Sequence, residues 1–223
     1  MSRCGDWLIT EPAGLSLPDV PLLILAHGAG KGSDSPFLEK MAERLAGRGI
    51  AVARFDFAYM ARARREGRRI APPRAERLME EYHARVACWT EQGLRPFIGG
   101  KSMGGRVASM IADDLFANGA IRGLVCLGYP FHPPGRPGNL RITHLQTLRT
   151  PTLICQGERD SFGRREEVEG YPLAETIRFC WLPDGDHDFK PRVKSGETWA
   201  GNLDMAADCC AGFIHGGKVV EGA

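Results

Sequence analysis

Pro96-Phe97-Ile98-Gly99-Gly100-Lys101-Ser102-Met103-Gly104-Gly105-Arg106-Val107-Ala108 is the stretch on which the reading of this chain turns. Pro96–Gly99 closes a short apolar run of the kind that forms a buried strand. Val107, Met110, Ile111 and Leu115 then recur at helical spacing. Between strand and helix stands Gly100-x-Ser102-x-Gly104, a G-x-S-x-G pentapeptide. A serine in that position sits on a sharp turn, and glycine two residues to either side removes side chains that would strike neighbouring backbone. The helix start adds free N–H groups and the positive end of the helix dipole beside the hydroxyl. Eight serines and 28 glycines in 223 residues give about 0.13 chance matches at random composition. The pentapeptide therefore takes its weight from the strand before it and the helix after it. A phosphate-binding loop, G-x-x-x-x-G-K-[ST], is excluded: Arg95 occupies the first glycine position and Gly93 comes two residues too early.

Working outward, the same grammar repeats. Leu22–Ala26, Ile50–Phe55, Leu124–Leu127, Thr152–Cys155 and Ile177–Leu182 are apolar at successive rather than alternate positions, the mark of strands buried on both faces of a parallel sheet. Leu38, Met41, Ala42, Leu45 and Ala46 predict a helix opened by Ser35 and Pro36 and closed by Gly47 and Gly49. Leu78, Tyr82, Val86 and Trp89 predict another, and Trp199, Leu203, Ala206, Cys210 and Phe213 the last. Strand and helix alternate, so the class is α/β with helices on both faces of a parallel sheet. Two connections, Asp56–Arg74 and Gly128–Arg149, are unusually long. Both leave the C-terminal ends of strands, where open α/β sheets build their binding crevice.

A serine at neutral pH needs a base to take its proton. Of six histidines, His187 lies in the turn-rich Pro183–Phe189 loop between the final strand and the final helix, where this architecture delivers a base. His83 falls on a helix, His132 and His144 in a long loop, and His215 in the tail. A third group must hold the imidazole in its working tautomer. No acid occurs between Leu115 and Gly157, so the next loop, Gln156-Gly157-Glu158-Arg159-Asp160, supplies it: Asp160, with Glu158 as fallback. Backbone N–H groups of Ala29 (Gly28 as alternative) and Met103 are the candidate oxyanion hole, and His27 is read as positioning its loop. The plainer alternatives are a helix-capping Ser102 or Asp160, and a His187 bonded to Asp184, Asp186 or Asp188.

His27-Gly28-Ala29-Gly30, Gly99-Gly100-Lys101-Ser102-Met103-Gly104-Gly105-Arg106-Val107-Ala108, Gly157-Glu158-Arg159-Asp160 and Gly185-Asp186-His187-Asp188-Phe189 together resemble the α/β-hydrolase superfamily. Within it the chain resembles the small dienelactone-hydrolase-like members. The group it looks most like is a set of predicted hydrolases typified by a testis-expressed protein and a subunit of a nuclear acetyltransferase complex. The likeness runs from about Leu22 to Ile214. It implies an α/β-hydrolase fold with a mostly parallel sheet and minimal lid, with Ser102, Asp160 and His187 in the triad positions; the length of 223 residues leads us to expect a single domain over residues 1–223. The order Ser, Asp, His is the order of that fold. Dienelactone hydrolases carry a cysteine nucleophile where this chain has Ser102, so their substrate does not transfer. The expected activity is hydrolysis of a small carboxylic ester or thioester without metal or organic cofactor. The alternatives are a serine peptidase, an acyltransferase, or a non-catalytic interaction module.

Composition bounds the rest. At 43% hydrophobic and 25% charged residues the chain is an ordinary globular protein. Its net charge of +2 calls for no nucleic-acid or membrane partner. No signal-like segment and no membrane-length apolar run occur. Seven cysteines without a CxxC pair, several in apolar runs, are read as thiols of a reducing compartment, Cys209 and Cys210 among them; the expected location is cytoplasmic. Arg54–Arg77 holds eight arginines against three acids, and Leu115–Gly157 four against none. Those arginines either pair with acidic helices or form a positive rim that draws an anionic ester or thioester.

Overall fold

The computed structural model describes residues 6–216; Cys4 lies outside them. Its elements run β1 (Leu8–Thr10), β2 (Leu22–Ala26), α1 (Pro36–Ala46), β3 (Ala51–Phe55), α2 (Ala58–Glu66), α3 (Ala75–Thr90), β4 (Phe97–Lys101), α4 (Met103–Ala117), β5 (Gly123–Leu127), β6 (Thr152–Gly157), α5 (Arg165–Val168), β7 (Ile177–Leu182) and α6 (Trp199–Ile214). Single 3-10 turns lie at Thr143–Gln146 and Val193–Ser195.

The strands form one sheet in the order β1-β3-β2-β4-β5-β6-β7. All pairs are parallel except β1 with β3. The unbroken apolar runs follow from two cores. Leu22, Ile24 and Ala26 pack on one face with α3 and α4; Leu23 and Leu25 pack on the other with α1 and α6. Both neighbours of each inner strand are therefore apolar, and alternation disappears.

Two local expectations change, and one strand is added. The Asp56–Arg74 connection contains α2, a helix that buries only Tyr59 and so leaves no apolar stripe to read. β1 has three residues, and Leu8 and Ile9 are exposed at the sheet edge. Cys209 is not a thiol: it is disulfide-bonded to Cys180, 6.4 Å away between Cα atoms, because α6 packs directly on β7 and both cysteines enter the same core. Cys88, Cys126, Cys155 and Cys210 are buried, as small hydrophobes are. Among the described residues no helix is long and apolar enough to cross a membrane.

β3 lies on one side of β2 and β4 on the other, so the chain reverses its direction across the sheet at β2. The loops after β2 and β4 diverge there, and the crevice between them is where an α/β sheet binds ligands. That crevice holds Ser102.

Candidate active site

Ser102 occupies the single residue between β4 and α4, with φ 52° and ψ −115°. A non-glycine residue with positive φ is strained and persists only where its surroundings fix it. Those surroundings are visible. The Ser102 amide donates to the Leu127 carbonyl (3.0 Å), and its own carbonyl accepts from Arg106 N in the first turn of α4 (3.0 Å). The flanking glycines are required by space rather than by flexibility. A Cβ on Gly100 would lie 2.6 Å from the Ala26 oxygen, and one on Gly104 2.5 Å from the same atom and 2.7 Å from the His27 oxygen. Helix α4 thus starts against the end of β2, which only glycine permits.

His187 lies in the loop after β7, and its Nδ1 is 2.7 Å from Asp160 Oδ2. Asp160 is fully buried in the loop after β6. Its carboxylate also accepts from Gln156 Nε2 on Oδ2 (3.0 Å) and from Phe162 N on Oδ1 (2.9 Å). A buried carboxylate bound by three donors is held rigidly in place. As the acceptor at Nδ1, it assigns the proton to that nitrogen and leaves the Nε2 lone pair free. None of Asp184, Asp186 and Asp188 takes the ring. Asp184 binds Arg159 and Arg192, Asp186 accepts from the Asp188 and Lys190 amides, and Asp188 faces Lys101 at 3.5 Å. Glu158 is also elsewhere, with Arg165 and the Asp184 amide.

Phe162 joins the two halves. Its ring is 4.2 Å from the imidazole, centroid to centroid, and it lines a cavity of about 690 Å³ together with Ser102, Ala29 and Met103. Gly128, next to the Leu127 carbonyl that holds Ser102, approaches His187 so closely that a Cβ there would lie 3.4 Å from Nδ1. Among the described residues no hydrogen bond joins Ser102 Oγ to His187.

Around the serine the loop after β2 is tightly held. His27 is fully buried, with Nδ1 2.6 Å from the Gly28 oxygen and Nε2 accepting from Phe57 N at 3.1 Å. Burial pushes its pKa below the usual histidine value, so the ring is neutral. Tyr59 OH donates to the Ala29 carbonyl (3.1 Å). Among the described residues no acceptor takes the N–H of Ala29 or of Met103, and both residues face the cavity of Ser102.

Three participants escape a reading of the sequence alone. Gln156, fully buried in β6, grips Asp160 and both backbone groups of Tyr129; a polar residue closing an apolar strand was its one signal. Phe162 looks like any loop aromatic. Lys101 precedes the serine yet is buried, with Nζ donating to the His187 carbonyl (2.7 Å), near Asp188 and over the Phe37 ring (5.3 Å). Three other histidines are occupied elsewhere: His132 faces Glu167, His144 bonds Ser109 Oγ, and His215 reaches the Arg48 carbonyl.

Comparison with solved structures returns the same architecture. The chain is similar to an alpha-beta serine hydrolase homologue from Coxiella burnetii, at 18% identity and TM-score 0.67, covering 94% of this chain and 90% of that one. It is similar to a dienelactone hydrolase from Anabaena variabilis, at 20% identity and TM-score 0.67 with the same coverages. Est1E from Butyrivibrio proteoclasticus, solved with ferulic acid bound, is similar at 15% identity and TM-score 0.66, covering 94% and 95%. At such identities the likeness is one of fold. A family model described as alpha/beta hydrolase domain matches residues 19–215, from just before β2 to the end of α6. The chain belongs to the alpha/beta hydrolase domain family.

Proposed function

We propose that this protein is a serine hydrolase that cleaves a small carboxylic ester or thioester through an acyl-enzyme. The observation that carries the reading is the 2.7 Å bond between His187 and the buried Asp160 carboxylate, beside a serine held in a strained turn at a helix start. A capping serine needs no strain, and a loop histidine needs no buried carboxylate.

In this reading Ser102 Oγ attacks the carbonyl carbon while His187 Nε2 takes its proton. The developing negative oxygen is held by the N–H groups of Ala29 and Met103. His187 returns the proton to the departing alcohol or thiol, and water, activated by the same imidazole, releases the acid. Asp160 keeps Nδ1 protonated and stabilises the imidazolium as it forms. The α4 dipole adds to the field at the oxyanion. The serine hydrolase and dienelactone hydrolase among the similar folds support this class of chemistry.

The test is hydrolysis of 4-nitrophenyl acetate and of an acetyl thioester by the wild type, Ser102→Ala and His187→Ala. Each variant is expected to lose about 10³-fold or more in kcat. Equal turnover by Ser102→Ala would contradict the reading.

A further inference from the structure

Arg106 and Arg141 line the same cavity as Ser102. Arg106 is the fourth residue of α4, and its amide is fixed to the Ser102 carbonyl. Arg141 lies in the β5–β6 connection, where its amide donates to the Phe131 carbonyl (2.7 Å) and its carbonyl accepts from Tyr129 OH (3.0 Å). Both backbones are therefore anchored. Both guanidinium groups are not. Among the described residues no carboxylate, carbonyl or hydroxyl accepts from either side chain, and Arg106 Nε is buried with no partner at all.

Several other arginines of the two long connections are paired. Arg64 binds Asp34 and Asp56, Arg62 and Arg68 bind Glu66, and Arg149 binds Asp113. A third arginine, Arg74, and one acid, Glu76, also line this cavity. His144, behind the pair, is pushed down to about 4 by burial and by Arg106, so it is neutral at pH 7 and adds no charge. Two like charges in one partly desolvated cavity repel each other and leave strong donors unused, which an anion between them would relieve. Burial and the neighbouring Arg106 already hold Arg141 below the usual arginine range.

We propose that Arg106 and Arg141 form an anion-binding subsite that takes a carboxylate or phosphate group carried by the substrate of Ser102. The inference rests on Ser102 being the nucleophile, and it names the substrate class: esters or thioesters with an anionic acyl or leaving portion. Arg106 ties the subsite to the nucleophile, because one helical turn separates the guanidinium's Cα from the reacting serine. Arg141 comes from a different loop and closes the subsite from the other side of the sequence.

The experiment compares the 4-nitrophenyl monoester of adipic acid with its neutral methyl-capped counterpart. The wild type is expected to favour the anionic ester by about tenfold or more in kcat/KM, the scale of a charge-assisted hydrogen bond. Arg141→Gln and Arg106→Gln should each bring that preference close to one, and Arg141→Lys should keep part of it. A wild type without preference, or a preference unchanged in both variants, overturns the subsite. Arg141→Gln serves where Arg106→Gln fails to fold, since Arg141 lies outside every helix and strand.

Titration of Ser102→Ala with adipate and with inorganic phosphate reads the subsite without turnover. Saturable adipate binding that weakens about tenfold in Ser102→Ala/Arg141→Gln supports it, and competition by phosphate shows that phosphate esters share it. Adipate binding in a protein that hydrolyses neither ester keeps the subsite and removes the hydrolase reading. Binding of neither anion overturns the subsite and leaves that reading standing on its own test.

Discussion

At the scale of single residues, the site is built from side chains denied their ordinary freedom. Asp160 has spent both oxygens on three donors, so the His187 ring has one orientation and one tautomer. Asp160→Asn keeps the shape but presents an amide where Nδ1–H needs an acceptor. Its kcat is expected to fall about 10³- to 10⁴-fold with an unchanged circular dichroism spectrum; steady-state kinetics would check this, and a fall below tenfold would count against the role of Asp160. Lys101 acts one step further out. Burial pushes its pKa down, opposed by Asp188 and Asp160, and its Nζ holds the carbonyl of His187 rather than the ring. Lys101→Met should let the base drift, lowering kcat ten- to hundredfold while KM moves less than twofold. A purely structural lysine would lower thermal stability without that split. These two residues were unequally legible. The acid-free interval before Gly157 narrowed the choice to Asp160 and Glu158. Nothing next to the lysine in sequence marks its role, because only the folded β7–α6 loop brings Asp188 and the His187 carbonyl over it.

Elements show the same division. The strands β2 to β7 were readable from their apolar runs, although β7 is an edge strand with Arg178 exposed, and α1, α3, α4 and α6 because each carries one apolar stripe. β1 and α2 were not: three edge residues and a helix with one buried side chain bury too little to leave a pattern. The contact between α4 and β2 was half legible, through its glycines. Gly104→Ala drives a Cβ into the Ala26 and His27 carbonyls and is expected to cost about 3 kcal/mol, measured as a shift in urea midpoint; a cost below 0.5 kcal/mol would mean the elbow is not packed as described. On the far side of α4, Ser109 and Tyr129 surround His144, whose pKa burial lowers from 6.5 to about 4. Between those values the unfolded chain binds a proton that the folded one does not. Stability is therefore full above pH 6.5 and is lost as pH falls toward 4, by about 2 kcal/mol once partial exposure is allowed for. His144→Asn should flatten that part of the stability-against-pH curve, and an unchanged slope would place the titrating group elsewhere.

For the molecule as a whole, the sheet order is the decisive fact. Reversal at β2 opens the crevice where the loops after β2 and β4 separate, while the loops after β6 and β7 carry Asp160 and His187 to the same edge. The sequence announces each loop by its motif but says nothing of which arginines find partners. Arg64 and Arg149 do, and Arg106 and Arg141 do not; that distinction belongs to the tertiary fold and separates a solvated rim from a recognition site. Net charge, at +2, would never have revealed it. The central claim, however, is simpler than substrate choice: one hydroxyl in this protein is a nucleophile. Reaction with a fluorophosphonate, followed by intact-mass and peptide mass spectrometry, asks that directly. One covalent adduct, on Ser102, abolished by Ser102→Ala and slowed strongly by His187→Ala, is the predicted result; a wild type that takes up no adduct, or takes it up on another residue, would contradict the account.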